Sequence, residues 1–203
     1  MNVVIVDYGM GNMRSVVSAL NYCGVSNIRL SDGIASLNTA DKIILPGVGS
    51  FAEAMKRIKE SGLDDELREV VLNKSKPILG VCLGMQIMGI TGTEGGESHG
   101  LGFVEGYVDS FDNFNLKVPH VGYNQLEFSK GSRLFSGIEQ GSDFYFTHSF
   151  RMLSDSNIDK SICDYGGDFV AGFERDNIAG VQFHPELSQK NGLKLISNFL
   201  EKF

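Results

Sequence analysis

Three short apolar runs constrain this chain more than anything else in it: "NVVIVD" (Asn2 to Asp7), "DKIILPG" (Asp41 to Gly47) and "KPILGV" (Lys76 to Val81). Within each, apolar residues follow one another with no polar residue between them. That is the pattern of a strand buried on both faces; strict alternation would mark a strand with one wet face. Between the first two, Met13, Val16, Val17 and Leu20 recur at helical spacing, and Phe51 to Leu72 reads as one or two helices broken near Gly62. Strand, helix and strand in succession predict a parallel sheet covered by helices on both faces. Pro46, which has no N–H, is expected to stop the second strand.

The second half changes character. From Gly102 to His184 the runs "FVEGYVDSF", "VPHVGYNQLEF", "DFYFTHSFRML" and "GGDFVAGFERDNIAGVQFHPE" are β-type, with turn signals between them. Gly166-Gly167 and Asp176-Asn177 mark hairpin turns, so part of the sheet should be antiparallel. Leu193, Ile196 and Leu200 share a helical face and predict a closing helix over Asn191 to Phe203. No repeat, low-complexity tract or linker divides the 203 residues, and one domain over residues 1–203 is expected.

Composition removes several function classes. A net charge of −7 leaves no basic face for a nucleic-acid backbone. With 42% hydrophobic residues and no apolar run near the ~18 that would span a bilayer, the chain reads as soluble and globular. "MNVVIVDYG" lacks the basic flank and long apolar core of a signal peptide, so a cytoplasmic address is expected. Cys23, Cys82 and Cys163 are odd in number and scattered, which suits reduced thiols rather than a disulfide framework or a CxxC metal site. No metal is expected.

One of these cysteines sits where an α/β protein puts its chemistry. Reactive groups gather at the carboxyl ends of parallel strands, where a strand-to-helix turn lifts one side chain above the sheet edge. "LGVCLG" has that form, with Gly80 and Gly84 flanking Cys82 where a larger side chain would hinder so tight a turn. A helix beginning after Cys82 would turn its N–H groups and positive dipole end toward the sulfur and favour the thiolate. The Leu83 N–H would then face a developing oxyanion, and Gln86, one helical turn on, would touch whatever Cys82 attacks. The plain alternative is a core cysteine on a glycine-containing turn, a common fate of free cysteine.

Two further segments bear on that choice. In "GVQFHPELS", His184 and Glu186 are two apart, so in an extended chain both side chains leave the same face, and Pro185 disfavours helix at His184. A base and a carboxylate that orients it are what a cysteine nucleophile requires, although a lone His-x-Glu is more often a solvated loop end. In "LPGVGSF", Gly47 and Gly49 fall between a strand and a helix, where backbone N–H groups can approach a ligand closely; an ordinary turn is the alternative. "DYGMGNMR" imitates a dinucleotide loop, but Arg14 stands where the third glycine should be, and no nucleotide is expected there.

Taken in order, PG-x-G, G-x-C-x-G-x-Q and H-P-E resemble the class I, triad-type glutamine amidotransferases. Within that class the chain is most similar to the glutaminase subunits of imidazole glycerol phosphate synthase. The similarity is carried by "DYGMGN", "PGVGSF", "GVCLGMQ" with Met85 where many relatives carry His, "GLG" at Gly100 to Gly102, "KVPHVGYN", "YFTHSF" and "GVQFHPELS". The resemblance implies a three-layer flavodoxin-like α/β fold: a central mixed, mostly parallel sheet with helices on both faces and an antiparallel extension. It implies Cys82 as nucleophile, His184 as general base and acid, and Glu186 as the residue that orients it. The oxyanion would be held by the Leu83 N–H and one from the Val48–Gly49 peptide. Gly47, Gln86, Glu94 and the backbone of His148, Ser149 and Phe150 match positions that bind glutamine, and no cofactor is implied. His148 itself, in an aromatic strand, reads as a packed or hydrogen-bonded residue with no catalytic part.

Free ammonia in neutral water is mostly ammonium, which is no nucleophile, so enzymes of this kind dock on a synthase and pass ammonia through an internal route. The implied partner is a (β/α)8-barrel cyclase subunit, with which the glutaminase would form a heterodimer that makes imidazole glycerol phosphate and AICAR in histidine biosynthesis. Asn12, Tyr123, Asn124 and Tyr145 match positions at the contact or the tunnel mouth; for the aromatic ones core packing is the alternative. Two positions depart from the pattern: the chain reads "GYN" at Gly122 to Asn124 in place of GWN, and Leu187 in "HPELS" replaces a cation. An apolar residue there cannot make the interface ion pair a cation would. Paralogues that supply ammonia for amidino or amino sugars of bacterial surface glycans are therefore a competing assignment. So are a free-standing γ-glutamyl hydrolase and a catalytically silent gating subunit; the intact Cys82, His184 and Glu186 speak against the last.

Overall fold

The computed structural model describes residues 1–31, 34–111 and 116–203. The first half runs β1 (Asn2–Val6), α1 (Met13–Tyr22), β2 (Asn27–Ser31), α2 (Ile34–Leu37), β3 (Lys42–Gly47), α3 (Phe51–Glu60) and α4 (Leu63–Arg68). A π-helical turn at Glu69–Asn73 then leads to β4 (Ile78–Cys82) and the single-turn α5 (Leu83–Gln86). The short β5 (Thr91–Gly92) and β6 (Ser98–His99) precede β7 (Tyr107–Ser110), β8 (His120–Gln125), β9 (Asp143–His148) and β10 (Phe150–Leu153). After β11 (Asp159–Asp164), β12 (Asp168–Arg175) and β13 (Ile178–Val181), a 3₁₀ turn at Pro185–Leu187 and α6 (Gln189–Lys202) close the chain.

β2, β1, β3, β4 and β13 lie side by side in that order and run parallel. β12, β10, β7, β5 and β6 extend the sheet, all antiparallel to their neighbours except the β7–β5 pair, and β11 pairs with β12 from outside this path. The expected doubly covered sheet with an antiparallel extension is what forms. The period-two geometry of the strands divides its residues between two cores. Val4, Val6, Ile43, Leu45 and Ile78 point to the side where α3 and α4 bury Phe51, Met55, Ile58, Leu63 and Leu67. Val3, Ile5, Ile44, Leu79 and Val81 point to the side where α1 brings Val16 and Leu20, and α6 brings Leu195, Ile196 and Phe199.

The anticipated break at Gly62 separates α3 from α4, and Gly166-Gly167 and Asp176-Asn177 turn the β11–β12 and β12–β13 hairpins. Pro46 does not stop β3: it pairs with Val81 inside the strand. The ladder between β1 and β3 reaches only Ile5 with Ile44, so Pro46 lies past the edge where its missing N–H would interrupt that ladder. β8 and β9 form a sheet of their own laid over the second core. Phe144 and Phe146 of β9 anchor it there, with ring centroids 4.3 and 5.7 Å from that of Phe183. This overlay carries residues 147–150 across the carboxyl ends of β3 and β4, and so sets one wall of the cavity described next. No helix among the described residues is long and apolar enough to cross a membrane.

Candidate active site

Cys82 ends β4 with φ 54° and ψ −114°, a left-handed conformation that costs a non-glycine residue about 1–3 kcal/mol and persists only where its surroundings impose it. The two flanking glycines impose it by permitting close backbone contact. A Cβ on Gly84 would lie 1.7 Å from Leu45 O, and one on Gly80 would lie 2.8 Å from Met85 N. The chain therefore turns directly back over β3, with Cys82 at the apex. The helix that follows is one turn long, so the macrodipole expected from the sequence is small, since it sums over aligned peptides. Side chains, not the helix, set the environment of the sulfur.

The foremost of these is His184. Its Nδ1–H donates to Glu186 Oε1 at 2.8 Å, and both side chains are nearly fully buried. The segment that carries them is stitched to β9. His184 N–H donates to Tyr145 O at 2.9 Å, and Ser188 Oγ donates to His184 O at 2.6 Å while accepting from Tyr145 N–H at 2.9 Å. Nε2 of His184 is buried and makes no well-directed hydrogen bond. Burial alone would push the imidazole toward neutrality, but the adjacent Cys82 sulfur and the Glu186 carboxylate outweigh it and raise its pKa to about 10. A group raised in this way keeps its proton through neutral pH and loses it as pH rises through about 10. If His184 is the acid that protonates departing ammonia, the alkaline limb of glutaminase kcat/KM should fall near pH 10. In Glu186→Gln that limb should move toward neutrality, as a pH–rate profile of the two proteins would read; an unmoved limb would separate Glu186 from the protonation of His184.

Cys82 opens onto a cavity of about 340 Å³. Val48, Gly49, Leu83, Gln86, Glu94, His148, Ser149 and Phe150 line it with Cys82, as do Pro119 and Thr147. Leu83 is the first residue of α5, so its N–H has no intrahelical partner. Burial raises the Glu94 carboxyl above its ordinary value, while the Phe51 N–H that it accepts at 3.3 Å opposes that shift. Gly47 does not line the cavity. It is buried at the end of β3, and a Cβ there would lie 2.2 Å from the Tyr8 hydroxyl and 3.1 Å from Leu83 Cβ.

The five residues matched to a partner contact lie outside the cavity. Tyr123 O–H donates to Leu187 O at 2.9 Å, and the Tyr123 and Tyr145 rings meet edge-on at 5.5 Å. Tyr123 and Leu187 are exposed, so core packing does not account for that tyrosine. Asn124 turns away to donate to Asp164 O at 3.2 Å, and Asn12, at the start of α1, donates to Ser15 Oγ at 2.9 Å.

Three residues at the site were not singled out from the sequence. Gln182, fully buried, hydrogen-bonds Gln86 at 2.9 Å and Cys82 at 3.7 Å. The alternation expected for His184 and Glu186 would have put Gln182 on the same face, so that signal was available, although Glu186 in fact reaches His184 from the 3₁₀ turn Pro185–Leu187 and not from an extended segment. His120 Nδ1 lies 3.0 Å from His148 Nε2, and His148 Nδ1–H donates to Phe150 O at 2.7 Å. Burial lowers the pKa of His148 to about 3 and that of His120 to about 4, so both rings are neutral. His148 is thus hydrogen-bonded on both nitrogens, with neither free to act as a base. Tyr8 is the third; its hydroxyl is buried without a partner beside Gly47, and burial, with the Cys82 charge, raises its pKa.

A model of the class-I glutamine amidotransferases matches residues 4–203, and the chain belongs to that family. Among its relatives, it is 47% identical over 199 residues to imidazole glycerol phosphate synthase subunit HisH 1 of Campylobacter jejuni (strain RM1221), covering 98% of each chain. It is 43% identical over 203 residues to the subunit HisH of Aquifex aeolicus (strain VF5), covering 100% of this chain and 97% of the relative. Among solved structures, a crystal structure of a glutamine amidotransferase superposes with TM-score 0.74 at 22% identity, with 98% of each chain covered. A glutamine amidotransferase from Thermotoga maritima superposes with TM-score 0.65 at 17% identity, covering 99% of this chain and 96% of that one. At such identities the structural likeness speaks to the fold.

Proposed function

We propose that this chain, acting as one amidotransferase domain over residues 1–203, hydrolyses glutamine to glutamate and ammonia. The ammonia passes to a (β/α)8-barrel subunit that forms imidazole glycerol phosphate and AICAR in histidine biosynthesis. The observation that carries this reading is a buried imidazole hydrogen-bonded to Glu186 and set against Cys82 at the floor of a cavity of amino-acid size, in a chain 47% identical to a HisH subunit. Cys82 sulfur attacks the side-chain amide carbon of glutamine, and the N–H groups of Leu83 and the Val48–Gly49 peptide receive the oxyanion. His184 gives its proton to the departing nitrogen, which leaves as ammonia. Water, deprotonated by His184, then cleaves the thioester and releases glutamate, and the sulfur is restored. Gln86 spends both amide hydrogens on protein acceptors, so its Oε1 is what it offers the substrate.

A second reading, ammonia supply for surface-glycan sugars, is favoured by Leu187 and Tyr123, which put an apolar, uncharged contact where the histidine-pathway pattern has a cation and a larger ring. One experiment divides the two: co-purification with a barrel subunit from each pathway, followed by a glutaminase assay. Glutamine turnover by the free chain should be slow, and the histidine-pathway barrel with its ligand should accelerate it on the order of tenfold or more. Activation by the glycan-pathway barrel alone would replace the first reading with the second, activation by neither would remove both, and fast turnover without any partner would indicate a free-standing hydrolase.

A further inference from the structure

One side chain at the cavity floor belongs neither to the Cys82, His184 and Glu186 set nor to the cavity lining. Gln182 follows β13, and its side-chain amide lies between Cys82 and Gln86. The bonds around it run in one sense only. Phe150 O is a carbonyl and can only accept, so the Gln86 atom 2.9 Å away is the amide nitrogen. That nitrogen can only donate, so the Gln182 atom 2.9 Å from it is Oε1. The Gln182 amide nitrogen is thereby left facing the Cys82 sulfur at 3.7 Å, as a donor. The far end of the chain is locked in the same way. His148 Nδ1–H also donates to Phe150 O, so its Nε2 takes the proton of His120 Nδ1.

We infer that Gln182 is a positioning residue for the nucleophile: its N–H holds the Cys82 sulfur and favours the thiolate, while its Oε1 ties that hold to Gln86 in the glutamine subsite. The inference rests on the reading of Cys82 as nucleophile. A donor aimed at sulfur stabilises the charged form over the neutral one. Thr147 O, 3.9 Å from the sulfur, is a carbonyl that can only accept from S–H and so favours the thiol. Gln182 and Thr147 pull in opposite directions, and removing Gln182 leaves the thiol-favouring contact in place. The titratable groups that face Cys82 are His184 backed by Glu186, Tyr8 from beyond β1, and His148 and Glu94 across the cavity. All persist in a Gln182 variant, so a change in the titration of the sulfur reads Gln182.

The test is alkylation of the free chain by iodoacetamide across pH, followed on the Cys82 peptide by mass spectrometry, with glutamine kinetics alongside. Burial pushes the Cys163 thiol up to about 12, so it stays silent over most of the range. Gln182→Met is expected to raise the alkylation midpoint by about one pH unit and so to slow alkylation about tenfold at pH values below the wild-type midpoint. It should lower kcat more than it raises KM. A purely structural loss would raise KM and lower Tm without moving the midpoint. Should Gln182→Met fail to fold, Gln182→Asn carries the same expectation, since its amide is one methylene too short to reach both partners. A midpoint within roughly 0.3 unit of wild type in a folded variant overturns the inference. Glutamine hydrolysis surviving in Cys82→Ala would instead overturn the reading beneath it.

Discussion

Replacing Cys82 by alanine is expected to lower ammonia release from glutamine by about 10⁴-fold or more, with the fold intact. The cavity also holds two hydroxyls, Thr147 and Ser149, but no imidazole with a nitrogen free to activate them, and the Glu94 carboxylate in the same lining is held by the Phe51 N–H. Both nitrogens of His148 are engaged, one with Phe150 O and one with His120. Among the described residues the imidazole with a buried, unbonded nitrogen is His184, and the side chain that interacts with it is Cys82. The substitution removes one sulfur from a site already strained, and alanine adopts the same backbone at no greater cost than cysteine. The loss of stability should therefore stay near or below about 1 kcal/mol. Glutamate release followed by a coupled assay, with circular dichroism melting as the control, reads both parts. Hydrolysis above roughly one per cent of wild type would mean that another group attacks the amide.

How much of this was legible depended on where each residue sits in the sheet. The strands flanked on both sides, β1, β3 and β4, announce themselves because both faces are apolar. β2 (Asn27–Ser31) does not: it is the outermost strand of the sheet, and only Ser31 of it is buried, so burial imposed no pattern on its side chains. β11 (Asp159–Asp164), which lies outside the main path and pairs with β12 and, through a single bridge at Ile162, with Glu127, is equally mixed in character. The β-type runs of the second half were readable as strands, but the separate sheet of β8 and β9 was not, because pattern gives faces and not partners. For the same reason His120 went unseen. It is opposite His148 in the register of that sheet, a relation fixed by pairing across 28 residues and not by any local spacing. The cysteine turn and the His-Pro-Glu segment were visible because each is a local device. That His184 reaches Cys82 follows from β13 lying beside β4, an adjacency the sequence pattern left open.

Gly84→Ala should be among the most damaging small substitutions at the described residues, and its sign is decided by space against propensity. Residue 84 lies in the first turn of α5 with no left-handed backbone, so alanine carries no conformational penalty there and would gain up to about 1 kcal/mol in helix propensity. The added Cβ, however, would stand 1.7 Å from Leu45 O and 2.7 Å from Leu45 C. Neither atom can yield as a flexible side chain would. Leu45 is in the middle of the sheet, in register with Gly80 of β4, and β3 cannot retreat without opening that ladder. The strain must be relieved by lifting α5, which moves Leu83 and Cys82 with it. A cost of at least about 3 kcal/mol is expected, or a fall in Tm of roughly 6–12 °C for a chain of this size. In whatever fraction folds, a displacement on the order of 1 Å at Cys82 should reduce turnover about 10²-fold. Gly131→Ala is the matched control, since a Cβ there meets nothing within 4 Å, and it should change stability by less than about 0.5 kcal/mol. If Gly84→Ala melted within about 2 °C of wild type and kept its rate, the close return of α5 over β3 would not be what holds Cys82 in place.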